Sequence, residues 1–248
     1  MNTHSLPQDS NTDVHSAVSA CGAFTLIELA VVVAIVGVLA SLLTAALNKA
    51  QATVRRGVCV ANLRQINLAT HLYADDHDDF IPYSKGLSFD YKERIQTYLS
   101  QPKGSSAADK VFACPSDDFD LSGKLSDWFL QEPGSQSFHR QSWTHYSSYA
   151  FNSGARGPKA DFGMAQRVFG SVREPTRTVL VGEISGFAGL STHDRKAPLQ
   201  FADAQNVMSF VDGHVSYIRI HWNGTSALEG FPFFHEPPPS YEYKWSGF

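Results

Sequence analysis

The chain has 248 residues, of which 43% are hydrophobic, 12% aromatic and 18% charged, enough apolar material for one sizeable folded domain and too much for a disordered polymer. Its 20 Lys+Arg against 24 Asp+Glu give a net charge of −4, with no basic cluster beyond Arg55-Arg56. Nucleic-acid binding needs a basic footprint that neutralises phosphates, so that class is set aside.

Residues 1–20 are polar, rich in Ser, Asn, Thr and His, and lack hydrophobic periodicity; residues 1–23 read as a disposable leader. From Phe24 to Leu47 the chain carries a single charge, Glu28. As a helix, such a stretch is long enough to cross the roughly 30 Å hydrocarbon core of a bilayer, and a transmembrane segment is expected over about residues 26–47. Apolar residues occupy every side of the helical wheel, which fits lipid or a buried bundle rather than one flank of a soluble core. Deep in the membrane a carboxylate costs about 2.5–3.5 kcal/mol on insertion scales, so Glu28 there requires a partner. Near the interface it stays hydrated and favours the positive end of the helix dipole.

The first proline after Phe24 is Pro82, and one helix over residues 24–79 is the economical reading. Its second half is amphipathic, with Ala52, Val58 or Cys59, Leu63, Ile66, Ala69 or Thr70 and Tyr73 on one face and Arg55, Arg64 and Gln65 on the other. The acidic run Asp75, Asp76, Asp78 and Asp79 offers oxygen ligands of the kind Ca²⁺ takes, but it lacks an EF-hand's alternating ligands and closing Glu. A solvated helix exit is the preferred expectation, and no metal or cofactor is assigned.

Residues 80–248 change character to short segments separated by Gly, Pro, Ser and Asp, as a globular α+β domain would. Tyr91 to Leu99 reads as a short amphipathic helix and Thr178 to Val181 as a buried strand. Asn206 to Val211 and His214 to Ile220 flank Asp212-Gly213, the pair that a two-residue type I′ hairpin favours because both turn positions need positive φ. The proline-rich tail from Phe231 to Tyr241 is expected to lay its aromatics across the sheet as a strap.

The run Ala23-Phe24-Thr25-Leu26-Ile27-Glu28-Leu29, followed at once by the apolar helix, resembles the cleavage and methylation signal of type IV pilins and type II secretion pseudopilins. The resemblance implies that a prepilin peptidase cuts between Ala23 and Phe24 and methylates the new amino terminus of Phe24. It implies that Glu28 neutralises the terminal ammonium of a neighbouring subunit during filament assembly. An ammonium and a carboxylate in apolar surroundings are each costly alone and far less so together. The implied fold is a long N-terminal helix packed on a C-terminal antiparallel β-sheet domain. The implied partners are the peptidase, other pilin or pseudopilin subunits and the bacterial inner membrane, with the globular domain outside the cytoplasm. Lys49, Arg55 and Arg56 after the span point the other way by the positive-inside rule; the family orientation is the one adopted.

The segments Cys59-Val60-Ala61-Asn62-Leu63-Arg64-Gln65, Phe112-Ala113-Cys114-Pro115 and Ser148-Tyr149-Ala150-Phe151-Asn152 resemble a narrower pseudopilin-like group. Members of that group carry a His ten residues before the Asp-Gly pair, an H-x9-DG motif; here Ala202 stands at that position. Cleavage of the leader would remove Cys21 and leave Cys59 and Cys114, an even number outside the cytoplasm, and a disulfide between them is expected. The alternative is two separate buried thiols.

No Gly-x-Ser-x-Gly, His-Glu-x-x-His or phosphate-cradling glycine loop is present, and Glu183 is a lone acid at the end of a strand, so an enzyme is not expected. The leading expectation is a structural subunit of a pilus-like or secretion filament. The alternative is a membrane-tethered extracytoplasmic ligand-binding module that uses the prepilin signal only for delivery.

Overall fold

The computed structural model describes residues 25–82, 91–99, 111–117, 147–152, 163–164, 166–187, 190–193, 203–223 and 236–247. The chain divides into two compact units, Met1–Leu47 and Asn48–Phe248.

A single helix, α1 (Leu26–Asp75), has the length expected from the sequence, 50 residues. Its start is a capping box over Thr25-x-x-Glu28: the Glu28 amide donates to Thr25 Oγ1 (3.2 Å) and the Thr25 amide donates to Glu28 Oε2 (2.9 Å). In the first unit every described residue is exposed, from Leu26 at 84% through Leu47. The hydroxyls within this apolar stretch are satisfied internally, Ser41 on the Val38 carbonyl and Thr44 on the Ala40 carbonyl (each 2.7 Å). By length and composition α1 can cross a membrane.

In the second unit the same helix becomes one wall of a core. Cys59, Leu63, Ile66, Ala69 and Ala74 are buried at three- to five-residue steps, while Arg55, Arg64 and Gln65 face out as expected. Packing starts later than the sequence pattern implied, because Ala52 remains exposed; of the expected pair Val58 or Cys59 it is Cys59 that is buried, the first buried position along α1. The stripe also includes three polar residues: Thr70 donates to the Ile66 carbonyl within the helix, and two asparagines are used as ties. Asn62 Nδ2 donates to the Ala113 carbonyl (3.2 Å) and to the Tyr149 hydroxyl (3.3 Å), and Asn67 Nδ2 donates to the Phe210 carbonyl (2.7 Å). These bonds satisfy the amide nitrogens, while Asn67 Oδ1 is buried without a hydrogen-bond partner among the described residues.

The helix ends where the acidic run begins. Asp78 and Asp79 both take left-handed φ (52° and 65°), which short polar side chains tolerate, and the Asp79 amide closes back on the Ala74 carbonyl. Tyr91–Ile95 (α2) continues into a 3₁₀ turn, Gln96–Leu99, so the expected short helix is present with its second half tightened.

Four strands, β1 (Tyr149–Phe151), β2 (Val179–Glu183), β3 (Ala204–Phe210) and β4 (Val215–Ile220), form an antiparallel sheet in the order β1-β2-β3-β4. Leu63 and Ile66 of α1 pack in one core with Tyr149, Phe151, Val181 and Val207 of this sheet. The architecture is therefore α+β, a long helix packed against an antiparallel sheet. The β3–β4 turn differs from the expected type I′ form. Phe210 and His214 close the strands, the Gly213 amide donates to the Phe210 carbonyl, and Gly213 alone in the turn has positive φ (94°). Three residues, Val211 to Gly213, thus make the connection, and one glycine meets the whole conformational demand.

A C-terminal segment beyond the expected strap, Tyr243–Trp245, packs against the sheet. Its backbone pairs with the start of β2 through the Val179 amide on the Lys244 carbonyl (3.0 Å), and Asn152 Nδ2 clamps both sides by donating to Val179 and Trp245 carbonyls (2.7 and 2.9 Å). Trp245 is fully buried against Phe187. Residues 231–235 of the expected strap lie outside the described residues.

Glycines at two positions predict opposite effects of the same change. At Gly182 in β2 an added Cβ would sit 1.9 Å from Met208 Sδ, so Gly182→Ala overpacks the sheet and should lower stability by about 1–3 kcal/mol. At Gly57, in the exposed helix, nothing lies within 4 Å, and Gly57→Ala should raise stability by about 0.5–1 kcal/mol. Chemical denaturation of the full chain in detergent micelles measures both.

Candidate functional site

Four chain segments meet around the disulfide. Cys59 comes from α1 and Cys114 from the turn at 111–117, and the two are bonded with a Cα–Cα distance of 5.3 Å, as the sequence led us to expect. Cys114 is set by Phe112, which is buried against Tyr91, and by its own amide, which donates to Ser148 Oγ (2.9 Å).

Glu183, the last residue of β2, lies beside this bond and is buried. The strand that carries it reads Val179-Leu180-Val181-Gly182-Glu183, so an apolar run delivers a carboxylate into the interior. Burial of that kind requires partners. Oε2 accepts the Val207 amide (2.9 Å), and Oε1 lies 2.7 Å from His193 Nε2 and 3.6 Å from Cys114 Sγ.

His193 arrives from the short segment after the helical turn Ile184–Phe187. Asn206 and Ser185 hold that segment: Asn206 Nδ2 donates to the Leu190 carbonyl (2.7 Å) and the Ser185 hydroxyl donates to Asn206 Oδ1 (2.7 Å). The imidazole meets Tyr217 edge-on, and its Nε2 is 3.9 Å from Cys114 Sγ. Burial, reinforced by the nearby Glu183 carboxylate, pushes the Tyr149 hydroxyl well above its ordinary pKa. Tyr149 therefore stays a neutral hydrogen-bonding group at physiological pH. One donor atom from each of Cys59, Cys114, Glu183 and His193 lies within 4.8 Å of all the others.

The other residues singled out from sequence fall elsewhere. Ala23 and Phe24 lie outside the described residues. Glu28 sits at the first turn of α1, bound to Thr25 by both the amide and the hydroxyl. In the acidic run, Asp76 Oδ2 accepts the Tyr98 hydroxyl (2.9 Å) and Asp79 Oδ2 accepts the Gly170 amide (2.9 Å), so two of its four carboxylates fasten the helix exit to neighbouring segments. Outside that group, His214 of the β3–β4 connection stacks on Phe210 and contacts Asp212, and His221 contacts Tyr241. His193 carried no sequence signal, since it is 10 residues from Glu183 and 79 from Cys114. The one legible clue was the carboxylate ending an apolar strand.

Comparison with known proteins yields no match: no family model, no curated protein and no solved structure aligns with the chain.

The disulfide closes a loop across a sequence separation of 55 residues. Replacing both cysteines by Ser should lower the stability of the full chain by about 2–5 kcal/mol, through the larger conformational freedom of the unfolded chain. A shift of the urea midpoint in micelles, against the unreduced parent, is the readout.

Proposed function

We propose that the chain is a pilin-like structural subunit: α1 is held in the bacterial inner membrane by residues 26–47, the leader is cut between Ala23 and Phe24 by a prepilin peptidase, and the exposed helix then packs against copies or relatives in a filament. The observation that carries this reading is the exposure of an apolar helix on all sides over residues 26–47. A surface of that size is stable only against lipid or other protein. A membrane-anchoring helix joined to a separately folded β-domain is the frame on which the reading rests. The disulfide supports placing the domain in an oxidising compartment outside the cytoplasm. The domain's work in this reading is presentation and packing, not catalysis.

Glu28 has two jobs in this account. Within the chain it caps α1, and between chains it meets the freed, methylated amine of Phe24 on a neighbour. Repetition of that contact is head to tail, so it propagates instead of closing. The capping geometry makes the two jobs separable by mutation. Gln fits a capping box as Glu does but carries no charge. Glu28→Gln should therefore leave insertion and cleavage intact and abolish recovery of the protein in sheared filaments. A purely local capping role predicts normal filaments from Glu28→Gln, and normal filaments would remove the pairing. A chain recovered only as membrane monomers with a specific ligand would instead be a tethered binding module.

A further inference from the structure

The four side chains around the disulfide are also a matched set of metal donors. We propose that the chain in its reduced form binds one zinc-class divalent ion through Cys59, Cys114, Glu183 and His193, so that metal and disulfide are alternative closures of one site.

The donor chemistry selects the ion. Two thiolates and an imidazole suit zinc and its soft or borderline neighbours, and they disfavour magnesium and calcium, which take oxygen. Geometry agrees. Tetrahedral zinc, with Zn–S near about 2.3 Å and Zn–N or Zn–O near about 2.0–2.2 Å, sets its ligand atoms about 3.3–3.8 Å apart. Cys114 Sγ already lies 3.6 Å from Glu183 Oε1 and 3.9 Å from His193 Nε2. Two adjustments remain: once their bond is broken the sulfurs must part from bonding distance to about 3.8 Å, the larger movement, and the 2.7 Å contact between Glu183 and His193 opens by roughly half an ångström. His193 Nε2 then turns its lone pair to the ion, with the ring proton on Nδ1.

Support for the ligands is already in place. The Val207 amide holds Glu183 Oε2 and leaves Oε1 for the ion, and Ser148 Oγ fixes the Cys114 backbone. Three of the four residues are buried and the His193 side chain is only 4% exposed, so the donor atoms are shielded from competing water. The ligands come from α1, the 111–117 turn, β2 and the 190–193 segment, so a bound ion ties α1 to the 111–117 turn as the disulfide does and adds β2 and the 190–193 segment.

Exchange between the two states balances with a dithiol as reductant. The dithiol gives two electrons and two protons to the Cys59–Cys114 bond and is itself oxidised to a disulfide; the two thiols formed lose their protons as the ion binds. In a reducing compartment the metal closes the site, and in an oxidising one the disulfide does. Filament assembly is not needed for either.

The test uses the full chain in detergent micelles, reduced with a phosphine and titrated with Co²⁺ and then Zn²⁺. The proposal expects one Co²⁺ per chain, with thiolate-to-cobalt charge transfer and tetrahedral ligand-field bands, displaced by Zn²⁺. Both His193→Ala and Glu183→Gln should weaken binding by more than about 10-fold. Glu183→Gln preserves the size of the side chain and an acceptor for the Val207 amide, and the circular dichroism of its oxidised form checks folding. A reduced chain that takes up no cobalt would overturn the proposal. So would bands that survive both substitutions, or a reduced chain that unfolds and is not refolded by zinc.

Discussion

One helix that must satisfy two different solvents is the constraint on which the rest depends. Over residues 26–47 α1 offers apolar side chains in every direction and keeps its polar groups to itself: amides in the helical ladder, Ser41 and Thr44 on carbonyls one turn back. That is what a hydrocarbon surround demands, because no water is available to satisfy stray backbone groups. From Cys59 the same helix presents a stripe, and the stripe is completed by a sheet. The change needs no break in the backbone; it is written in which side chains are apolar at which steps.

Inside the β-domain, polar residues do the joining. Asn62 and Asn67 tie α1 to the 111–117 turn and to the β3–β4 hairpin, Asn152 ties β2 to the C-terminal segment, and Asn206 holds the segment that carries His193. A buried amide can be satisfied only by particular carbonyls, so these contacts fix which surfaces meet, where apolar packing alone would tolerate slippage. Glu183 extends the pattern from structure to chemistry, because its carboxylate is held by Val207 on one oxygen and faces sulfur and imidazole with the other.

Much of this was legible beforehand. The span, the continuous helix, the Cys59–Cys114 pairing, the β2 segment and the location of the last hairpin follow from periodicity, parity and turn residues. The differences have physical causes. Asp212-Gly213 was read as a pair of positive-φ positions, but a three-residue connection needs only Gly213 in that region. Ala52 fits the helical stripe yet is exposed, because periodicity cannot say where along a helix its partner surface begins. The capping box was present in Thr25-x-x-Glu28 and was masked by the apolar context. His193 could not be found at all: its partners are brought to it by the sheet register and by the asparagine-held segment, neither of which leaves a spacing in the chain.

On the reading proposed here, the exposed half of α1 becomes useful only once its leading edge has been trimmed and its amine freed to meet Glu28 of a neighbour. Mass spectrometry of the N-terminal peptide from membrane-extracted protein tests this most directly. The account predicts a peptide that begins at Phe24 and carries one added methyl group on its amine. A stable, working form that retains residues 1–23 would contradict it.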